Sequence, residues 1–480
     1  MTEIAEGRPL VFRGGTVLPM DRSRQVLAGA DVLVVDDRIA EVGPGLAVPD
    51  GTVEIDATDG IVLPGMIDTH RHMWQTALRG YGADWTLTQY FVWFYLEHGN
   101  RFRPQDIHAG NTLAALEAID AGVTTVVDWS HGLRTVEHAE AAVDALRSVP
   151  GRYVLAYGNI QAPPAEWTGT PEFRAFADRH VGGDDLLGFQ LAFDVTGDPS
   201  FPERPAFEVA RDLGVPVSTH AGVWGATSDD GIRLMYDHGF MDERTVYVHA
   251  ASLSTDSYHR IAATGGSISV STESEQSAGQ GYPPTWAIRA HDIPVSLSMD
   301  TSVWWSGDLF SAMRTTLGAD RSRCHLEAHA NGETVTECRL RADQVVEWAT
   351  RGGAAALGRT DLGSLEPGGK ADLVLIKNDR SPVSFPLLNP YGHVAFQAQR
   401  GDVHTVVVNG RVVKYAHELV GVDLAAARRE VEETVSYLRA ELGEQAWEQG
   451  MHPAVPESKI LDNPYTYTDY RSSATRTSSR

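Results

Sequence analysis

Ile61-Val62-Leu63-Pro64-Gly65-Met66-Ile67-Asp68-Thr69-His70-Arg71-His72 is the stretch from which the fold of this 480-residue chain is read. It is a strand-length apolar run, interrupted by Pro-Gly and ended by two histidines at i, i+2. Alternate residues of an extended strand point the same way, so the two imidazoles converge on one point, as two ligands of a divalent metal must. In a chain with 18 histidines a bare His-x-His is a weak signal, and its context supplies the specificity.

Further along, three more ligand types end strand-like runs: His220 follows 215–219, His249 follows 245–248, and Asp300 follows 294–299. In a closed barrel of parallel strands the carboxyl ends open on one face, where catalytic groups collect. Strand-length apolar runs alternate with helical patterns over 61–67, 123–127, 153–157, 186–193, 215–219, 245–248, 267–270 and 294–299. Eight such runs predict an α/β fold, a (β/α)8 TIM barrel with the candidate ligands at one mouth. Histidines with an aspartate form a nitrogen-rich donor set that suits Zn²⁺, while Fe²⁺ and Mn²⁺ accept similar donors; zinc is the expected ion.

Outside the barrel, short strands are expected at 11–17, 31–35, 38–42 and 51–55, with Asp36-Asp37 turning a hairpin. The same style returns at 371–376, 403–408 and 411–413, where Asn409-Gly410 is a strong hairpin signal. The two ends therefore predict one small discontinuous β-sandwich. The expected division is 1–60 plus 362–420 for the sandwich, 61–361 for the barrel, and 421–480 for a C-terminal helix and tail. That helix is expected over 423–449, with Asp423 as N-cap and a stripe of Val431, Val435, Leu438 and Leu442. From Tyr465 onward Ser, Thr and Arg dominate, which predicts a loose tail.

The order Pro-Gly-x-Ile-Asp-x-His-x-His, then His220, His249 and Asp300, resembles the amidohydrolase superfamily. Within it the chain is most similar to the branch of cytosine and guanine deaminases and triazine chlorohydrolases, over roughly residues 8–420. The resemblance implies that His70, His72 and His220 hold the metal and that Asp300 is both ligand and proton acceptor. It leaves His249 as a further ligand or as the group that polarises the substrate, the second being the expectation. Relatives with two metals usually carry a carboxylated lysine at the end of the fourth strand; the run 186–193 has none, so one ion is expected.

The chain departs from the branch in two places. Deaminases carry a glutamate three residues after the fifth-strand histidine, whereas His220-Ala221-Gly222-Val223 offers a valine, which cannot move a proton. After the seventh strand stands Thr272-Glu273-Ser274-Glu275-Gln276, and Glu273 or Glu275 is the expected replacement acid–base group. Aromatic residues crowd the stretch 73–103. Trp74, Trp224, Trp304 and Trp305, close to the ligands in sequence, are the expected pocket lining. Gln75 matches a position that contacts substrate in several relatives.

A net charge of −24 disfavours nucleic acid and anionic membranes as partners and favours a small molecule. Two cysteines build no disulfide framework or thiolate metal site, and no signal-peptide pattern or 18-residue apolar stretch is present, so a cytoplasmic location is expected. The aromatic insert suggests a homo-oligomer. Together these features predict a metal-dependent hydrolase that cleaves a carbon–nitrogen bond (amide, lactam, amidine or ring amine) of a cyclic or aromatic molecule with metal-activated water. The alternative is a non-hydrolytic lyase, cyclase or decarboxylase on the same scaffold. A catalytically silent binding protein would show eroded ligands, and none is eroded.

Overall fold

A computed structural model describes residues 7–183, 185–223 and 226–455. Trp224 and the tail beyond Tyr465 lie outside the described residues. Two sheets organise the chain. The first is mixed and built from both ends: β1 (Leu10–Val17), β2 (Leu27–Val35), β3 (Arg38–Gly43), β4 (Val53–Asp56) and β5 (Ile61–Pro64) come from the N-terminal part. The second is parallel and runs in sequence order through β6 (Met66–Arg71), β7 (Val123–Ser130), β8 (Arg152–Tyr157), β9 (Leu187–Ala192), β10 (Val217–Ala221), β11 (Val246–His249), β12 (Ser267–Val270) and β13 (Val295–Leu297). The first sheet is completed by β14 (Leu373–Ile376), β15 (Val403–Val408), β16 (Arg411–Tyr415) and β17 (Glu418–Leu419).

The run 61–67, read from sequence as one barrel strand, is two strands in different sheets. β5 pairs antiparallel with β14, Val62 opposite Leu375, and parallel with β1, so it lies in the mixed sheet. β6 alone is the first barrel strand. Both halves are fully buried, so apolarity could not separate them. The break is Gly65, where a Cβ would come within 2.1 Å of the Thr124 hydroxyl on β7. Only a residue without a side chain lets the backbone change sheets there.

Closure of the barrel falls on the functional residues themselves. Between β13 and β6, His72 N–H donates to the Asp300 carbonyl at 2.8 Å, and Asp300 N–H donates to the His70 carbonyl at 3.1 Å. Residues 230 apart in sequence are thereby locked in register at the barrel mouth. Buried hydroxyls tie β6 to β12 and β13: Thr69 Oγ1 lies 2.8 Å from Ser269 Oγ and 2.7 Å from Ser296 Oγ.

Arg71, between the two histidines, is almost fully buried and points to the helix Pro104–Asp120, where it pairs with Glu117. Ser302 Oγ lies 3.1 Å from the guanidinium and 3.2 Å from Glu117 Oε2, and Arg79 and Arg400 complete the network. Burial opposes ionisation of Glu117, but the arginines outweigh it and hold its carboxyl below the ordinary value. The aromatic stretch after β6 packs into the main core through Trp85, Trp93, Phe94 and Phe102.

The expected helix over 423–449 is broken into Leu424–Leu442 and Glu444–Gly450 at Gly443, whose φ of +80 ends the first segment. Asp423 caps it, accepting from Ala426 N–H at 2.9 Å, and Leu438 is buried. The second segment clasps the aromatic stretch, with Trp85 Nε1 donating to the Gly450 carbonyl at 3.0 Å. Among the described residues no helix is long and apolar enough to cross a membrane.

Replacing Glu117 with alanine leaves the buried Arg71 charge uncompensated beside the two histidines. Urea unfolding of the full chain should show a loss of about 3–5 kcal/mol. A loss below about 1 kcal/mol would mean that the network does not hold the end of β6.

Candidate metal centre and active site

Five side chains meet at the mouth. The ring centroid of His70 lies 4.7 Å from that of His72, 5.0 Å from His220 and 5.7 Å from His249. Asp300 Oδ1 is 3.3 Å from His70 Nε2 and 3.4 Å from His72 Nε2. Donor atoms of His70, His72 and Asp300, and separately of His70, His220 and His249, lie within 4.8 Å of one another. Among the described residues the buried Nδ1 of His70 has no hydrogen-bond partner and Nε2 faces only Asp300 at 3.3 Å, an arrangement that is costly unless a cation takes up the imidazole lone pair. The donor set and this orphaned imidazole fit a divalent ion.

Each ring is oriented from behind. His72 Nδ1 donates to the Trp129 carbonyl at 2.8 Å, leaving Nε2 for the cluster. His220 Nδ1 is 2.8 Å from Asp194 Oδ1, a carboxylate–histidine pair of the kind that fixes the tautomer of a metal ligand. His249 Nδ1 lies 3.5 Å from the buried Glu275 Oε1, which also accepts the Ser271 N–H at 2.7 Å. His249 and Asp300 both have a φ of +68, a left-handed conformation that costs non-glycine residues about 1–3 kcal/mol and collects at functional sites. Gly222 lets β10 and β11 end side by side, since a Cβ there would sit 2.8 Å from the Ala250 backbone.

Burial favours neutral imidazoles: it pushes His70 well below its ordinary value and His72 down to about 4. Burial works the same way on His220, but Asp194 outweighs it and raises that pKa. Burial opposes ionisation of Asp300, yet the imidazoles of His70 and His72 keep it well below the usual carboxylate range. Burial thus disfavours charge on His70 and His72, the imidazoles favour an anionic Asp300, and Asp194 favours a proton on His220 that a cation would have to displace.

The cluster opens on a cavity of about 340 Å³. Its apolar walls are Leu87, Tyr90, Phe91, Tyr95, Val223 and Trp304, and its polar lining includes Asp194, Thr196 and Gln280. Of the pocket residues expected from sequence, Trp304 lines the cavity. Trp305 does not; it stacks on Trp304 with centroids 4.9 Å apart. Trp74 is fully buried behind the wall against Phe94 and Phe102, and Gln75 is buried with it. Trp224 lies outside the described residues. Glu273 accepts from Ser306 Oγ at 2.6 Å, and neither it nor Glu275 lines the cavity. A direct proton transfer from either to substrate does not fit this placement, because the helix Thr272–Ser277 turns Glu275 inward beneath His249.

Sequence reasoning missed Asp194 and Gln280 at the cavity, and it reads Tyr90 only as one of the aromatic residues crowding 73–103. Asp194 follows the end of β9 by two residues, a strand-end position like those of the other ligands.

A family model described as the Amidohydrolase family matches residues 61–413. A 5-methylthioadenosine/S-adenosylhomocysteine deaminase of Desulfitobacterium hafniense is 28% identical over 437 residues, covering 87% of this chain and 96% of the relative. The atrazine chlorohydrolase of Arthrobacter aurescens, solved with zinc, superimposes with a TM-score of 0.76 at 22% identity, over 89% of this chain and all of that one. An adenosine deaminase of Xanthomonas campestris with bound zinc gives 0.75 at 22% identity, over 90% and 98%. The two structures share the fold.

Zinc binding to the chain should strengthen as pH rises from about 6 to 8, because His220 must release the proton that Asp194 helps it keep. Asp194→Asn should weaken zinc by about 10–100-fold at pH 8 and flatten the pH dependence. Competition with a chromophoric chelator measures both. An unchanged affinity would remove Asp194 from the centre.

Proposed function

The chain belongs to the amidohydrolase family, and from that premise we propose that it hydrolyses a carbon–nitrogen bond of a cyclic or aromatic small molecule, using one divalent ion held by His70, His72, His220 and Asp300. The observation that carries this reading is the cluster of four histidines and one aspartate, two donor triads sharing His70, that opens directly on an aromatic-walled cavity. Zinc is the proposed ion, as in the two solved neighbours. A single ion is supported by β9, whose sequence Leu-Gly-Phe-Gln-Leu-Ala lacks a lysine.

When bound, such an ion lowers the pKa of water towards about 7 and supplies a nucleophile at neutral pH. Asp300, ionised and in contact with two of the ligand imidazoles, is placed to take the proton from the attacking water and carry it to the departing nitrogen. His249 lines the cavity with Nδ1 turned back to Glu275, which leaves Nε2 to polarise the carbon–heteroatom bond under attack. Its grouping with His70 and His220 also fits a ligand role. Glu275 acts through His249 in either case. Tyr90 and Trp304, with ring centroids 4.7 Å apart, suit a flat ring.

Val223 lines the cavity three residues after His220, where a proton-transferring group would assist ammonia loss. The proposed scissile bond is therefore an amide or lactam rather than a ring amine, since the former leaves with less acid help. The relatives described above, deaminases and a chlorohydrolase, favour hydrolysis over lyase, cyclase or decarboxylase chemistry. A cytoplasmic setting, supported by two free thiols, and a homo-oligomer, supported by exposed Leu96, Phe385 and Leu388, complete the proposal.

The test is turnover of a panel of cyclic amides and amino-heterocycles in oxygen-18 water. One label per product, activity lost on chelation and restored by zinc, and preference for ring amides are expected. An unlabelled product, or full activity after chelation, would contradict the reading. Val223→Glu should raise ammonia release from amino-heterocycles by at least about tenfold, within the ~10²–10⁴ that general acid–base help supplies.

A further inference from the structure

Behind the cavity wall runs a chain of buried polar groups that the metal chemistry does not use. Thr301 Oγ1 accepts the Val303 N–H at 3.3 Å and donates to Gln75 Oε1 at 2.9 Å, which turns the Gln75 amide nitrogen towards Tyr90. Gln75 Nε2 donates to the Tyr90 oxygen at 2.7 Å. His131 Nε2 lies 3.4 Å from the same oxygen, and Trp74 Nε1 lies 3.3 Å from His131 Nδ1. Trp74, Gln75, Tyr90 and His131 are all buried.

The direction of these bonds follows from the chemistry of the donors. An indole N–H can only donate, so His131 Nδ1 must be its acceptor. The competing acceptor for an Nδ1–H, the Trp129 carbonyl, already takes the His72 Nδ1–H at 2.8 Å and the His131 backbone N–H at 3.2 Å, which uses both of its lone pairs. With Nδ1 accepting from the indole N–H of Trp74, the His131 ring proton sits on Nε2 and faces the Tyr90 oxygen at 3.4 Å. Two donors then point at that oxygen, and on their side no acceptor for the phenolic proton is found among the described residues.

We infer that Tyr90 is a specificity residue whose hydroxyl is held as a hydrogen-bond donor into the cavity, selecting rings that carry an acceptor, a ring nitrogen or carbonyl oxygen, on the edge that meets it. The inference rests on the proposed ring-binding function and adds which edge chemistry the ring must have. Tyr90 and Trp304 pack together in the cavity wall with ring centroids 4.7 Å apart, so a flat ring lying along that wall can present its edge to the phenol. Gln75 and His131 are positioning residues, since they reach the ligand only through Tyr90. Gln75 thus affects substrate selection without touching substrate.

The probes are 2-aminopyrimidine and aniline, which share a shape and an amino group and differ in the ring acceptors. Calorimetric titration of the zinc-loaded full chain should show Tyr90→Phe weakening 2-aminopyrimidine about tenfold and leaving aniline within twofold. A merely structural role would weaken both alike. Gln75→Glu keeps the phenol but offers it a carboxylate acceptor, which draws the proton away from the cavity; it should produce the same selective loss. Equal effects of Tyr90→Phe on the two probes, or none, would overturn the inference while the ring-binding reading stands. Retention of full 2-aminopyrimidine affinity by Gln75→Glu would overturn the donor network. Failure of the wild-type chain to bind either probe would remove both readings together.

Discussion

The hydrogen-bonded seam between β6 and β13 is the constraint on which the rest depends. Two backbone hydrogen bonds, one on each side of Asp300, close the barrel and set the aspartate beside both histidines of the His-x-His pair. Three of the proposed ligands therefore owe their spacing to main-chain register, which is stiff, rather than to side-chain choice. Arg71 anchors the same strand outward through Glu117, so the residue between the ligands stabilises the strand that carries them.

Around that seam the remaining groups are held by partners that tune them. Asp194 orients His220, Trp129 orients His72, and Glu275 backs His249. The left-handed backbone at His249 and Asp300 shows that the strand ends are bent to aim these residues, at a cost the surrounding barrel offsets. Glycines at 65 and 222 remove side chains where two backbones come close, one letting the chain pass between sheets and the other letting β10 and β11 end together. The result is a cluster in which burial favours neutral His70 and His72 and the imidazoles favour an anionic Asp300, while the proton that Asp194 favours on His220 must leave when a cation binds.

Much of this was legible in the sequence. His70, His72, His220, His249 and Asp300 could be found because strand-end positions in a parallel barrel share one face, a geometric rule that needs no knowledge of packing. Where residues depended on tertiary arrangement, sequence was silent or misleading. Glu275 was visible as a carboxylate near the mouth, but only the short helix after β12 decides that it faces His249 rather than substrate. Several aromatic residues crowd positions 74–95, and which of them face the cavity depends on how that stretch folds beneath the C-terminal helix. Gln75, adjacent to the ligands, points away from them because Thr301 and Tyr90 satisfy its amide. The reading of 61–67 as one strand failed for a simpler reason: both halves are equally apolar, and the sheet each joins is set by a close approach at Gly65.

The central claim is that one ion sits on His70, His72, His220 and Asp300. An anomalous-difference map from crystals of the zinc-loaded chain tests it most directly. The expected result is a single strong peak per chain at about 2.0–2.2 Å from a nitrogen of each histidine and an oxygen of Asp300. Absence of a peak there, or a peak that leaves out His220 or Asp300, would contradict the account.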